Sequence, residues 1–238
     1  MDWSGDGDKI VVADSSAKVY LYSFLKDGLK EISTLTGKLF SKSSGQKNDP
    51  WVEEIKFSPD NQMIAYGCHG KNSLTMETLS VKGKEMQVYK SFKHGGSSAL
   101  LHLDWAADSS CFSLNTQDYS LLFRGPGGEN LTATSCRDTR WKTWTQKLGF
   151  PVQGIFQGVD YTDVNTVCRD PTERFMAVGY DDQCIRLFKW PCYIEKQVHS
   201  VYTGHSSHVT RIRFTKSKMV SLGGLDRTII VWNIKDND

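Results

Sequence analysis

Residues 204–234 read GHSSHVTRIRFTKSKMVSLGGLDRTIIVWNI. Two histidines (His205, His208), an acid in a Gly-rich turn (Asp226) and an indole (Trp232) sit among alternating apolar residues. Histidine and aspartate are raw material for metal and acid–base sites. The stretch is therefore either a site or one unit of a structural repeat. VTRIRF, KMVSL and TIIVWNI each alternate with the two-residue period of a strand, and KSK and GGLDR separate them as turns. That pattern favours the repeat.

The same unit recurs along the chain. WVEEIKFSPDNQMIAYG (51–67) lies over DVNTVCRDPTERFMAVG (163–179), pairing Val52 with Val164, Ile55 with Val167, Pro59 with Pro171 and Gly67 with Gly179. ALLHLDWAADSSCFSLN (99–115) and HVTRIRFTKSKMVSLGG (208–224) follow the same template, and MDWSGDGDKIVVAD places Trp3 where Phe57 and Trp105 stand. The units span approximately 1–50, 51–98, 99–162, 163–207 and 208–238. Most are near the 40–45-residue period of propeller blades. Helical periodicity of any length is absent. These features predict an all-β chain, a WD-repeat-type β-propeller with about five blades, as a single domain or fragment over 1–238. The first unit opens inside a strand and the last stops after its third strand. An incomplete ring, or part of a larger propeller, is expected, and its unpaired edges invite self-association.

The opening stretch resembles a WD-repeat unit. In such units a Gly-His ahead of the first strand, an acid in the turn between the second and third strands, and a Trp in the third strand hydrogen-bond one another. Gly204-His205, Asp226 and Trp232 match those places, so His205, Asp226 and Trp232 are expected to lock one blade. Other units lack parts of this set: Phe188 stands where Trp would, six residues after Asp182.

Composition excludes several classes. The 29 basic and 27 acidic residues nearly balance, which gives no electrostatic case for wrapping nucleic acid. No run of 18 apolar residues exists for a membrane span, and no apolar leader follows a basic start. The six cysteines form no C-x-x-C pair and read as buried free thiols. RGPGGEN (124–130) lacks the Gly-Lys-Ser/Thr ending of a phosphate loop, and no G-x-S-x-G elbow occurs. His69, His94, His102 and His199 are scattered, with surface or loop positions as the default. No catalytic set, metal set or cofactor motif is complete, so the chain reads as non-catalytic.

From Trp141 to Ile234 the resemblance narrows. WKTWTQKLGFPVQGIF (141–156), DYTDVNTVCR (160–169), AVGYDDQCIRLFKWPC (177–192) and YTGHSSHVTRIRFTKSKMVSLGGLDRTIIVW (202–232) resemble the C-terminal part of the echinoderm microtubule-associated protein-like (EML) family. The resemblance implies the second of two tandem atypical propellers, tubulin or microtubules as partner, and a cytoplasmic, cytoskeletal location. The family's hydrophobic motif, its basic N-terminal region and its coiled coil are absent from this sequence.

Loops on a rigid frame are where binding evolves. The rim formed by loops before first strands and between second and third strands carries Asp160, Tyr161, Asp163, Tyr180, Asp181, His208 and Leu225, with the two tyrosines as expected anchors. Alternatives stay open here. The tyrosines could pack neighbouring blades, the aspartates could cap turns or hold a cation, and the partner could be a non-cytoskeletal protein or peptide bound by a generic WD-repeat adaptor.

Overall fold

A computed structural model describes residues 1–14, 18–36, 51–70, 73–159, 163–215 and 217–234. The segment KLFSKSSGQKND (38–49), which reads as a polar loop between units, lies outside the described residues. Among the described residues the fold is an all-β propeller with five blades. Sheet 1 contains β1 (Asp2–Trp3), β2 (Lys9–Ala13), β3 (Lys18–Leu25) and β4 (Gly28–Thr36). Sheet 2 contains β5 (Trp51–Phe57), β6 (Met63–His69), β7 (Thr75–Lys82) and β8 (Glu85–Lys93). Sheet 3 contains β9 (Leu100–Trp105), β10 (Phe112–Thr116), β11 (Leu121–Arg124) and β12 (Asn130–Leu131). Sheet 4 contains β13 (Val164–Arg169), β14 (Phe175–Tyr180), β15 (Ile185–Lys189) and β16 (His199–Tyr202). Sheet 5 contains β17 (Val209–Phe214), β18 (Lys218–Gly223) and β19 (Ile229–Asn233). Each sheet is an antiparallel meander in chain order. Contacts gather the chain into two compact units, Met1–Lys142 and Thr143–Asp238.

One turn is used four times between first and second strands, and the sequence explains it. Ser4-Gly5-Asp6-Gly7, Ser58-Pro59-Asp60-Asn61, Ala106-Ala107-Asp108-Ser109 and Asp170-Pro171-Thr172-Glu173 occupy the same place. In each, the fourth amide donates to the first carbonyl, at 2.9, 2.9, 3.0 and 3.1 Å. The fourth residue is left-handed each time: Gly7 (φ 80), Asn61 (φ 61), Ser109 (φ 63) and Glu173 (φ 58). A short polar side chain pins the turn; the Ser4 and Ser58 hydroxyls accept the amides of Lys9 and Met63 at 2.9 Å each. Turns then lace neighbours in the first unit, with Gly5 N donating to Asn61 Oδ1 (2.6 Å) and Asp60 N to Ser109 Oγ (3.1 Å).

The core lies between sheets. Val11, Val19 and Leu21 of sheet 1 pack with Ile55, Phe57, Ile64, Tyr66 and Leu79 of sheet 2. Ala65 and Met76 of sheet 2 pack with Leu100, Leu103, Trp105, Phe112 and Leu114 of sheet 3. In the second unit, Cys168, Ala177 and Ile185 of sheet 4 meet Val209, Ile212 and Met219 of sheet 5. Only one face of each strand serves each interface, as the two-residue period requires.

The LGFPVQGI connector forms a short 3-10 helix, Phe150–Ile155, against sheet 4. Gly149 precedes it at φ 155, and a β-carbon there would come within 2.3 Å of the Trp144 ring. The amide of Cys192 donates to Pro151 O and that of Gly154 to Cys192 O, both at 2.8 Å, which ties the connector to the Pro-Cys after β15. All six cysteines are free, and all but Cys184 are buried. His102 does not take the expected surface or loop position: it lies in β9 and is 6% exposed, while His94 does lie in a loop, just after β8, but is buried there. His94 is held through Nε2 to Ser73 O at 2.8 Å.

Candidate functional site: a locked blade and its rim

Sheet 5 assembles its polar residues in one place. β17 follows the loop carrying His205, and the register of β18 with β19 sets Met219 opposite Trp232 and Ser221 opposite Ile230. His205 is buried; its Nδ1 lies 3.1 Å from Asp226 Oδ2 and 2.9 Å from Thr228 Oγ1, and its Nε2 lies 2.7 Å from Ser221 Oγ. Trp232 Nε1 donates to the same Ser221 Oγ at 2.8 Å. Ser221 is thus the hinge of a chain running Asp226–His205–Ser221–Trp232. Asp226 also accepts the amides of Ser206 (3.0 Å) and Thr228 (3.1 Å). Burial by itself pushes this carboxyl up. The two amides, His205 and the Thr228 hydroxyl outweigh burial and hold it below the ordinary carboxylate value.

Sequence reasoning missed Ser221, inside β18, and Thr228, just ahead of β19, because a lone hydroxyl carries no pattern. It also missed the space that Gly224 leaves. A β-carbon on Gly224 would come within 2.2 Å of the His208 ring. His208 is half-buried over that glycine, where an exposed position was expected; its Nδ1 contacts Ser207 Oγ at 3.1 Å.

The rim residues separate. Leu225 is 85% exposed, at the tip of a turn fastened by Leu225 N to Ser207 Oγ (3.1 Å) and Gly224 N to His208 O (2.9 Å). Asp181 is exposed and accepts Asn165 Nδ2 at 2.7 Å, while its amide donates to Asp163 O at 2.9 Å. Asp163 is half-buried. Asp160 and Tyr161 lie outside the described residues. Tyr180 corrects the expectation of a rim anchor. It is 1% exposed, its hydroxyl donates to Ile155 O at 2.6 Å, and the Arg186 guanidinium sits 4.1 Å above its ring. The 3-10 connector and β15 enclose the ring, so it braces sheet 4 and presents nothing to a partner.

A second turn acid does related work in sheet 3. Asp118 accepts the Ser97 amide at 2.8 Å, as well as the hydroxyls of Ser97 and Thr116. Those hydrogen bonds hold its carboxyl well below the ordinary value. A Ser ahead of a first strand and an Asp two residues past a second strand were the available signals. Among the described residues, no group of three or more His, Cys, Asp or Glu could hold a metal ion.

Comparison with known proteins agrees with this geometry. The family described as "Echinoderm microtubule-associated protein second beta-propeller" matches residues 1–234. The chain is 38% identical over 187 residues to "Echinoderm microtubule-associated protein-like 3" of Mus musculus, covering 76% of this chain and 20% of that protein. It is 32% identical over 217 residues to "Echinoderm microtubule-associated protein-like 1" of Rattus norvegicus, covering 85% and 26%. With "Echinoderm microtubule-associated protein-like 2" of Homo sapiens it shares 35% over 188 residues, covering 77% and 29%. The chain therefore spans less than a third of the length of each of these relatives. Among solved structures, the C-terminal WD40 domain of Sif2 shares the fold, with a TM-score of 0.65 at 11% identity, covering 100% of this chain and 69% of that one. The repeat, the locked fifth blade and the match over residues 1–234 lead to one conclusion: the chain belongs to the echinoderm microtubule-associated protein family, in its second β-propeller.

Proposed function

We propose that this chain is a non-catalytic interaction scaffold of the cytoplasm and cytoskeleton that associates with tubulin or microtubules through the rim of its second unit. The observation that carries the reading is Leu225. A large apolar side chain, 85% exposed, stands on a turn fixed by hydrogen bonds from both sides, above a blade locked through His205. Interfaces concentrate their energy in a few such preorganised apolar anchors. Arg227, also exposed, follows it on the same turn, and Asp163, Asp181 and His208 complete the rim. The names of the relatives supply the partner class.

Co-sedimentation with polymerised tubulin, and gel filtration with the soluble dimer, test this. Wild-type chain is expected in the pellet or in a joint peak, and Leu225→Glu is expected to weaken binding about tenfold, on the scale of one interface anchor, with unchanged melting. Absence of binding in both assays would transfer the reading to an adaptor for a non-cytoskeletal protein or peptide.

A further inference from the structure

The seam between sheets 2 and 3 holds a cation without a counter-charge. Arg124 ends β11, in register with Phe112 of β10 and two residues from Leu122, so it shares the face that packs against sheet 2. Its side chain reaches the loop after β8, where the guanidinium lies under Gly95. The residue is 7% exposed. Nη1 donates to Phe123 O at 2.6 Å, and Nε is buried with no partner. Among the described residues Nη2 makes no hydrogen bond either, and no carboxylate pairs with the guanidinium. Nε–H and Nη2–H are the parallel donors of one guanidinium edge, the pair that a planar oxyanion takes in a two-pronged hydrogen bond.

The loop KHGGSS (93–98) leaves the tip of that cation within reach of solvent. Gly95 is exposed and left-handed (φ 88), and a β-carbon on it would come within 2.2 Å of Arg124 Nη2. A side chain at this position would cover the guanidinium; glycine keeps it uncovered and suits the backbone. His94 is fixed as a neutral ring. Its Nε2 donates to Ser73 O at 2.8 Å, and its Nδ1 accepts the Gly96 amide at 3.2 Å. Burial pushes the imidazole below its ordinary value, so it adds no charge beside Arg124. Asp118 is committed to the loop itself, holding the Ser97 amide at 2.8 Å and the Ser97 and Thr116 hydroxyls. Ser98, in the same loop, carries a second buried polar atom without a partner, its hydroxyl oxygen.

We infer that the Nε/Nη2 edge of Arg124, reached past Gly95, is a binding site for a carboxylate, carried by an acidic side chain of a partner peptide or by a small free acid. One guanidinium supplies one positive charge and two parallel donors, and a carboxylate matches both. The Asp118 carboxylate, bound to the same loop, sets a negative charge nearby and disfavours a phosphate dianion. A buried cation without a counter-ion works against folding, so its presence has a physical account when the counter-ion arrives with a ligand. Sheets 2 and 3 both belong to the unit Met1–Lys142, so the site is complete within that unit.

Titration of the isotope-labelled full chain with sodium acetate in exchange for sodium chloride, at constant ionic strength, tests the inference. The readout is the Nε–H resonance of Arg124, identified by its disappearance in Arg124→Met. Acetate is expected to move that resonance saturably, and chloride to leave it in place. Acetyl-Ala-Glu-Ala-amide and its Gln counterpart distinguish the sources. A shift with the Glu peptide and none with the Gln peptide assigns a peptide side chain; a shift with acetate and with neither peptide assigns a free acid. Arg124→Lys keeps the charge but loses the paired donors. It is expected to weaken acetate binding about tenfold, read from the acetate-induced rise in melting temperature. In chloride, Arg124→Met is expected to melt no lower than wild type, and acetate to raise the melting of wild type but not of Arg124→Met. A resonance that no carboxylate moves overturns the inference. So does inorganic phosphate binding more tightly than acetate, and so does an Arg124→Met chain that melts well below wild type in chloride, which would make Arg124 a packing residue. None of these readings involves tubulin, so they stand or fall apart from the proposed function.

Discussion

Blades four and five are two solutions to one problem. Both have a meander in the same register, an acid in the turn after the second strand, and an aromatic ring on the third strand. In blade five the ring is Trp232, and its indole N–H reaches Ser221, which in turn meets His205. In blade four the ring is Phe188, fully buried, and Val178 stands at the position of Ser221. The turn acid survives, but Asp182 pairs with Arg186 at 2.5 Å. A buried donor requires a buried acceptor, so Trp and Ser travel together, and removing the donor permits a wholly apolar pair. A repeat can therefore lose its polar lock and remain a blade, provided both ends of the hydrogen bond are lost together.

The comparison can be broken most forcefully at the ring. Phe188→Ala should cost about 3–5 kcal/mol in chemical denaturation, the range for a fully buried phenyl group. Phe188→Trp on its own should also destabilise, and adding Val178→Ser should recover part of the loss. An unhelpful serine would show that the lock is not portable between blades. Next in size is the covered against the open face. Ile185→Ala should cost about 2–4 kcal/mol, whereas Ile229→Ala, at the same repeat position, should stay within about 0.5 kcal/mol in dilute solution. Equal costs would mean that the two faces are equally covered.

A smaller effect is expected at the polar lock. His205→Ala leaves Ser221 and Asp226 short of a buried partner and should cost about 1–3 kcal/mol. Ser221→Ala should cost less than the sum of its two hydrogen bonds if water replaces the hydroxyl. The least effect concerns acid. Asp226 and Asp182 both sit below their ordinary values. A depressed carboxyl contributes stability that is complete above its unfolded pKa, near 3.8, and that is lost as pH falls through the folded value. Asp226→Asn should thus flatten the stability curve below about pH 4 and leave its slope near neutrality unchanged. A steeper slope at pH 6–7 in that variant would assign the titration to another group.

The legible part of the molecule was whatever repeats. Alternation, Pro59 above Pro171, and the Gly-His, Asp and Trp of the last unit announced strands, turns and one lock. Neither Ser221 nor Tyr180 could be placed that way. Ser221 is one hydroxyl among many, and its role exists only because strand pairing brings His205 and Trp232 to it from both sides. Tyr180 ends a strand where a rim residue would stand, yet the 149–156 connector folds over it and its hydroxyl finds Ile155 O.

By itself the sequence determined the strand period, the turn positions and the membership of five units, because local sterics and one-sided burial write a two-residue rhythm into any half-buried strand. Only the tertiary structure decided which copy of a repeated residue is covered. Ile185 and Ile229 hold the same place in the same pattern, and what separates 1% from 70% exposure is whether another sheet lies against them. Burial is a property of neighbours brought from elsewhere in the chain, and no local pattern contains it.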